Sequence, residues 1–146
     1  MMKVKYGKYM IYRMYNRGTK ENLTVFFPPD TDLFTLMLRK QRLNELKSNN
    51  FIVCGILYVN EETYLNAKIN ETVNDYLYTD RQEATYREKY FRGDISFDCF
   101  AETMSLVSEH KWTVLRVLNS QMRRAWRRDY AVENEMAHIL YNYHIK

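Results

Sequence analysis

The residues whose types and spacing are best suited to chemistry are the arginines of Arg123-Arg124-Ala125-Trp126-Arg127-Arg128. On a helix Arg123 and Arg127 share one face, and Arg124 and Arg128 lie next to it. Arg116 and Ser120 extend the same stripe toward the N-terminus, while Leu118, Met122 and Ala125 fall on the other side. Four guanidinium groups within two turns can grip phosphates through paired donors. Trp126 among them can stack on a base. The competing reading is a solvated helix face, with Arg stems covering Trp126 and Arg heads paired to acids elsewhere in the fold.

A second basic group lies near the N-terminus, where Lys5, Lys8 and Arg13 interleave with Tyr6, Tyr9, Tyr12 and Tyr15 and Arg17 follows. Basic residues among aromatics are what single-stranded nucleic acid sites use. In a strand, however, Tyr6 and Tyr12 point to one face and Tyr9 and Tyr15 to the other. At least one set is then expected to be core, as in a hairpin with Tyr packed on both sides.

Other chemistries find less support. Pro29-Asp30 with Glu45-Leu46-Lys47 formally matches a metal-nuclease signature in which Asp and Glu hold Mg²⁺. That chemistry needs Glu and Lys on one face of a strand, and residues 45–47 read as the end of a helix. The order hairpin, helix, strand, helix also fits the layout of GIY-YIG nucleases, with Gly7-Lys8-Tyr9 and Glu71 placeable in it. The second motif is missing, because the returning strand reads Leu23-Thr24-Val25-Phe26-Phe27. Glu135-x-x-His138 is one ligand pair where a carboxylate-bridged metal site needs two. His110 and His144 stand alone in sequence. Gly7, Gly18, Gly55 and Gly93 are too far apart for a phosphate-cradling loop. No metal and no small-molecule cofactor is expected.

Positioning these residues requires regular elements. Residues 3–15 read as a strand, Asn16-Arg17-Gly18 as a turn with Gly18 at positive φ, and residues 20–27 as the returning strand. Pro28-Pro29 ends the hairpin. Asp30 or Thr31 is expected to cap a helix over 32–47 with Leu33, Leu36, Met37, Leu43 and Leu46 on its apolar side, closed by Ser48-Asn49-Asn50. Phe51 to Val59 is apolar on both alternating faces and reads as a central strand. From residue 61, Leu65, Ile69, Val73 and Leu77 mark a helix. Thr79 or Asp80 is expected to cap a second helix, which stops at Gly93. Ser96 caps a third, and 113–128 and 129–143 read as two more. The β-branched run Trp112 to Leu118 is also compatible with a strand. The sum is α+β: an N-terminal antiparallel hairpin and a central strand forming a small sheet, packed against a mostly helical C-terminal half.

Charge is segregated along the chain. Residues 1–20 carry six bases and no acid, residues 111–128 carry six bases and no acid, and residues 60–109 hold eleven acids against five bases. Segregation of this kind can build a positive face for an anionic partner or let the two parts pair internally. The 146 residues, with only four Gly and two Pro, predict a single domain over 1–146. Cys54 and Cys99 form no framework and read as buried free thiols of a reducing compartment. Without an apolar run at the start or of membrane-spanning length, no membrane association is expected and the cytoplasm is the expected location.

The Lys-, Asn- and Tyr-rich, Gly-poor composition is typical of AT-rich genomes, such as those of many bacteriophages, so a phage accessory protein is the expected setting. The leading expectation is a non-enzymatic binding protein that engages nucleic acid or a nucleoprotein complex through the arginine helix. The alternatives are an inhibitor or adaptor that meets an acidic protein surface on a host enzyme, and a small Mg²⁺-dependent nuclease.

Overall fold

The computed structural model of the chain describes residues 9–29 and 32–145. Lys5, Lys8 and the expected caps Asp30 and Thr31 lie outside the described residues. The elements run β1 (Tyr9–Asn16), β2 (Asn22–Phe27), α1 (Leu33–Ser48), β3 (Phe51–Val59), α2 (Glu61–Phe91), α3 (Phe97–Arg127), α4 (Glu135–Leu140) and a π-helical turn at Tyr141–Ile145. A small antiparallel sheet followed by a mostly helical half makes the chain α+β. It falls into two compact units, Met1–Tyr64 and Leu65–Lys146.

In the first unit β1 is the middle strand, in the order β2-β1-β3. Its register sets Met10 opposite Phe27, Tyr12 opposite Val25 and Met14 opposite Leu23. On its other side Met10 faces Tyr58, Tyr12 faces Ile56 and Met14 faces Val53. Alternation therefore gathers Met10, Tyr12 and Met14 on one face, where Leu43 and Leu46 of α1 close a core with Val25 and Phe27. Tyr12 meets the Phe27 ring edge-on at 5.0 Å. On the opposite face Tyr9 lies 4.7 Å from Tyr64, which also meets Phe26 edge-on. Tyr9 and Tyr12 are thus packing residues, on opposite faces of the sheet.

Four local expectations change. Gly18 does not take positive φ; Lys20 does, at 61°. The cause is Asn16, whose side-chain oxygen accepts the N–H groups of Gly18 (2.9 Å) and Thr19 (3.1 Å) and so moves the left-handed position along the loop. Helix α1 is capped by Asp32, whose carboxylate accepts the Thr35 N–H at 2.7 Å. Leu33 and Met37, expected on the inner side of α1, are exposed together with Phe34 and Leu38. Finally, β3 is not central. Among the described residues it pairs with β1 alone and forms one edge of the sheet.

The second unit is built on two 31-residue helices, α2 and α3. No helix starts at Thr79 or Asp80. The Thr79 hydroxyl donates to the Asp75 carbonyl one turn back (2.8 Å) rather than capping, and the helix runs through it. Likewise 97–127 is one helix, including Trp112 to Leu118, because Val114, Leu115 and Leu118 keep helical spacing with Met122 and Ala125 along one buried face. Ser96 caps it through the Cys99 N–H at 3.1 Å. The turn before it uses Gly93 at φ 80°, with the Asp94 N–H returning to the Lys89 carbonyl at 2.9 Å.

The core of this unit joins Leu65, Ile69, Val73 and Tyr76 of α2 to the α3 face and to Ala137 and Leu140 of α4. None of residues 80–113 is buried, so the far halves of α2 and α3 contribute nothing to it. The expected helix over 129–143 shortens to α4 and its π turn. Residues 130–134 have no regular secondary structure and are tied down by Asn66, which donates to the Ala131 carbonyl and accepts from the Glu133 N–H. Both cysteines are exposed, not buried. Cys54 lies on the edge strand and Cys99 in the first turn of α3, two positions that solvent reaches. No helix among the described residues is long and apolar enough to cross a membrane.

Candidate nucleic-acid interface

The buried face of α3 (Leu118, Gln121, Met122, Ala125) determines which side chains point outward. With Met122 and Ala125 fully buried, helical geometry turns Arg116, Ser120, Arg123, Arg124 and Arg127 to solvent, and all five are exposed. Arg128 is the C-cap and is also exposed. Just beyond it Asp129 takes left-handed φ at 57°, and the Tyr130 N–H closes back on the Ala125 carbonyl at 2.9 Å. Part of the arginine enrichment serves the helix itself, because Arg124 and Arg127 in the last turn complement the negative end of the dipole.

Arg116, Arg123 and Arg127 do not pair with the acidic middle of the chain, several of whose acids are engaged locally. Glu83 pairs with Arg87 at 3.1 Å and Glu88 with Arg92 at 2.6 Å, both along α2. Asp75 meets His110 at 3.2 Å. Lys111, the first base of the segment, is absorbed internally. Its ammonium donates to Asp80 at 2.9 Å and Glu83 at 3.4 Å and lies 5.2 Å from the centre of the Tyr76 ring. Burial opposes its charge, but the Asp80 hydrogen bond and the nearby Tyr76, Asp80 and Glu83 outweigh that and raise its pKa. Among the described residues Arg116, Arg123 and Arg127 have no acidic partner. Arg123 donates from Nε to the Asn119 side-chain oxygen at 3.0 Å, and Arg127 from Nε to the Arg123 carbonyl at 3.4 Å. These contacts fix the stems and leave the terminal nitrogens of both guanidinium groups to solvent.

Trp126 is 40% exposed. Tyr141 stands edge-on to its ring at 4.8 Å, and the His138 ring lies 6.4 Å away, inclined by 28°. The His138 ring is itself fixed, with Nε2 donating to the Val132 carbonyl at 2.8 Å. Arg123, Trp126, Arg127 and Tyr141 line an open concavity of about 450 Å³. A cationic rim around a braced indole can hold a phosphate at the guanidinium groups while a flat ring lies against Trp126.

Of the residues singled out from the sequence, Arg123, Trp126 and Arg127 come together at this concavity. Arg116 lies further back on the same helix face, and Arg124 and Arg128 flank it. Arg13, midway along β1, and Arg17, in the hairpin turn, are exposed but belong to the other unit. Tyr141 was not foreseen. Its spacing within 129–143 marks it only as one helical aromatic among several, and its approach to Trp126 depends on how the chain returns after Arg128. The nuclease pattern does not assemble. Glu45 and Lys47 lie in the last turn of α1, on either side of the buried Leu46. Among the described residues no group of three His, Cys, Asp or Glu side chains is placed to hold a metal ion. Comparison with protein-family models, with curated proteins and with solved structures gives no match to this chain.

Proposed function

We propose that this is a nucleic-acid-binding protein that grips the phosphate backbone with the outer face of α3 and stacks an unpaired base on Trp126. The observation that carries this reading is the combination at the end of α3. Among the described residues Arg116, Arg123 and Arg127 are exposed without acidic partners, while Asp75, Asp80, Glu83 and Glu88 of α2 are occupied by His110, Lys111, Arg87 and Arg92. Exposed arginines with no internal counter-charge raise the local positive potential and attract polyanions. An indole among them favours single strands, because a base must leave its stack to reach it. Binding would modulate whatever nucleoprotein process the strand belongs to, without chemistry on it.

The test is a titration of the purified chain against single- and double-stranded DNA and RNA at two salt concentrations, with Mg²⁺ in one arm. Salt-sensitive binding that favours single strands and is lost when Arg116, Arg123 and Arg127 become Gln supports the reading. Absence of binding at low salt overturns it and turns attention to an acidic protein surface as the partner of the same arginines. Cleavage in the Mg²⁺ arm would overturn the non-enzymatic part.

A further inference from the structure

We infer that the outer edge of β3 is a self-association surface, where a second copy of this chain adds its own β3 antiparallel to make a continuous six-stranded sheet. The inference is independent of what α3 binds.

Three observations carry it. The first is the strand itself. Phe51-Ile-Val-Cys-Gly-Ile-Leu-Tyr-Val59 is nine residues with no charge, no proline and no polar amide, the composition of a strand paired on both sides. Yet it pairs with β1 alone, and among the described residues no strand takes its outer edge. Edge strands normally carry Lys, Pro or brevity as protection against pairing. The opposite edge has such protection: β2 is six residues long, opens at Asn22 after Lys20 and Glu21, and ends at Pro28-Pro29. Only β3 is left unguarded.

The second observation is exposed apolar surface on the matching side. By register, Ile56 and Tyr58 project from the sheet face that carries Tyr12 and Met10, the face on which α1 packs. Ile56 is 41% exposed and Tyr58 56%. Leu33, Phe34, Met37 and Leu38 of α1 are half to three-quarters exposed as well. A two-fold axis perpendicular to an antiparallel sheet keeps both copies of α1 on one face. Ile56, Tyr58 and the exposed side chains of α1 therefore offer apolar surface for a second copy to cover beside the paired edge.

The third is charge. The chain carries net +4, which opposes contact between two copies over most of its surface. The β3 edge is neutral, so it can meet its own copy without like-charge repulsion. An apolar strand also matches itself in an antiparallel register without needing a complementary sequence.

The test is the solution mass of the full chain by sedimentation through the micromolar range, with Ile56→Lys, Tyr58→Lys and, as a control on the guarded edge, Asn22→Lys. The expected result is a mass of twice 17.8 kDa for the unaltered chain and for Asn22→Lys, and 17.8 kDa for the two β3 variants with unchanged far-ultraviolet circular dichroism. A second measurement needs no substitution: hydrogen exchange of the β3 amides should slow as protein concentration rises. A wild-type chain of 17.8 kDa, an assembly larger than a dimer, a dimer that survives both β3 substitutions, or β3 exchange indifferent to concentration would each overturn the proposal.

Discussion

Tyr141 holds Trp126 from the side, with ring planes at 89° and centroids 4.8 Å apart. Edge-to-face contact of this kind braces an indole against rotation. If Trp126 stacks a base, Trp126→Ala should weaken single-strand binding by about 1–3 kcal/mol, roughly five- to 160-fold. Tyr141→Ala should weaken it less, by unlocking the ring. With Trp112→Phe as background, Trp126 is the one tryptophan left. Its fluorescence should quench on binding in that variant and respond less sharply when Tyr141 is removed.

Charge substitutions should separate by location rather than by residue type. Arg123→Gln and Arg127→Gln should each reduce the slope of log affinity against log salt by about 1. Lys111→Gln should leave that slope unchanged, because its ammonium is held by Asp80 and Glu83. It should instead lower stability by about 1 kcal/mol or less, since Asp80 is largely exposed. Salt titrations and urea unfolding of the three variants read out the two effects independently.

Alkaline pH should unfold the chain through two groups acting in the same direction. Burial, reinforced by neighbouring Tyr9, pushes the Tyr64 phenol from 10.0 up to about 12. A phenol whose folded pKa exceeds its unfolded one stabilises the fold fully below the unfolded value and loses that contribution as pH rises toward the folded one. Lys111, with a folded pKa above 10.5, also loses its contribution as pH rises through it. Stability should therefore hold with respect to these groups up to about pH 9 and decline above pH 10. The Tyr64 share is about 2–3 kcal/mol, and Tyr64→Phe should remove it from the pH profile.

Substitutions on the inner face of α3 should leave the salt slope alone and move only stability. Met122 is fully buried opposite the arginines, so Met122→Ala should cost about 2–5 kcal/mol. Gln121 points the other way energetically. Its side-chain oxygen is buried without a hydrogen-bond partner, and Gln121→Leu should stabilise the chain by about 1 kcal/mol. Thermal unfolding of both variants gives the signs directly.

What the sequence made legible follows from how local each cause is. The arginine face could be read because i and i+4 spacing is settled within two turns, and the Leu65–Ile69–Val73 ridge for the same reason. Gly93 and Ser96 act on their own backbone neighbours. Thr79 misled because a threonine hydroxyl serves equally as a cap or as a donor to the carbonyl one turn back, and packing decides between them. Phe51 to Val59 declares itself a strand but not its neighbours, and a sequence suited to two partners does not show that the fold supplies only one. Tyr141 escaped because its relation to Trp126 spans a chain reversal that no short pattern encodes.

The absence of buried residues between 80 and 113 has a kinetic consequence. The far halves of α2 and α3 are held mainly by their own backbone hydrogen bonds, by surface ion pairs along and between the helices, and by the stack of Tyr90 on Phe100. Amides there should exchange with solvent through a local opening that costs far less than global unfolding. A protease should cut first near Gly93, releasing nothing, while the proximal core around Ile69 and Met122 keeps the arginine face intact. The molecule would thus fail in two stages, losing the tip of its helical hairpin well before it loses its binding surface.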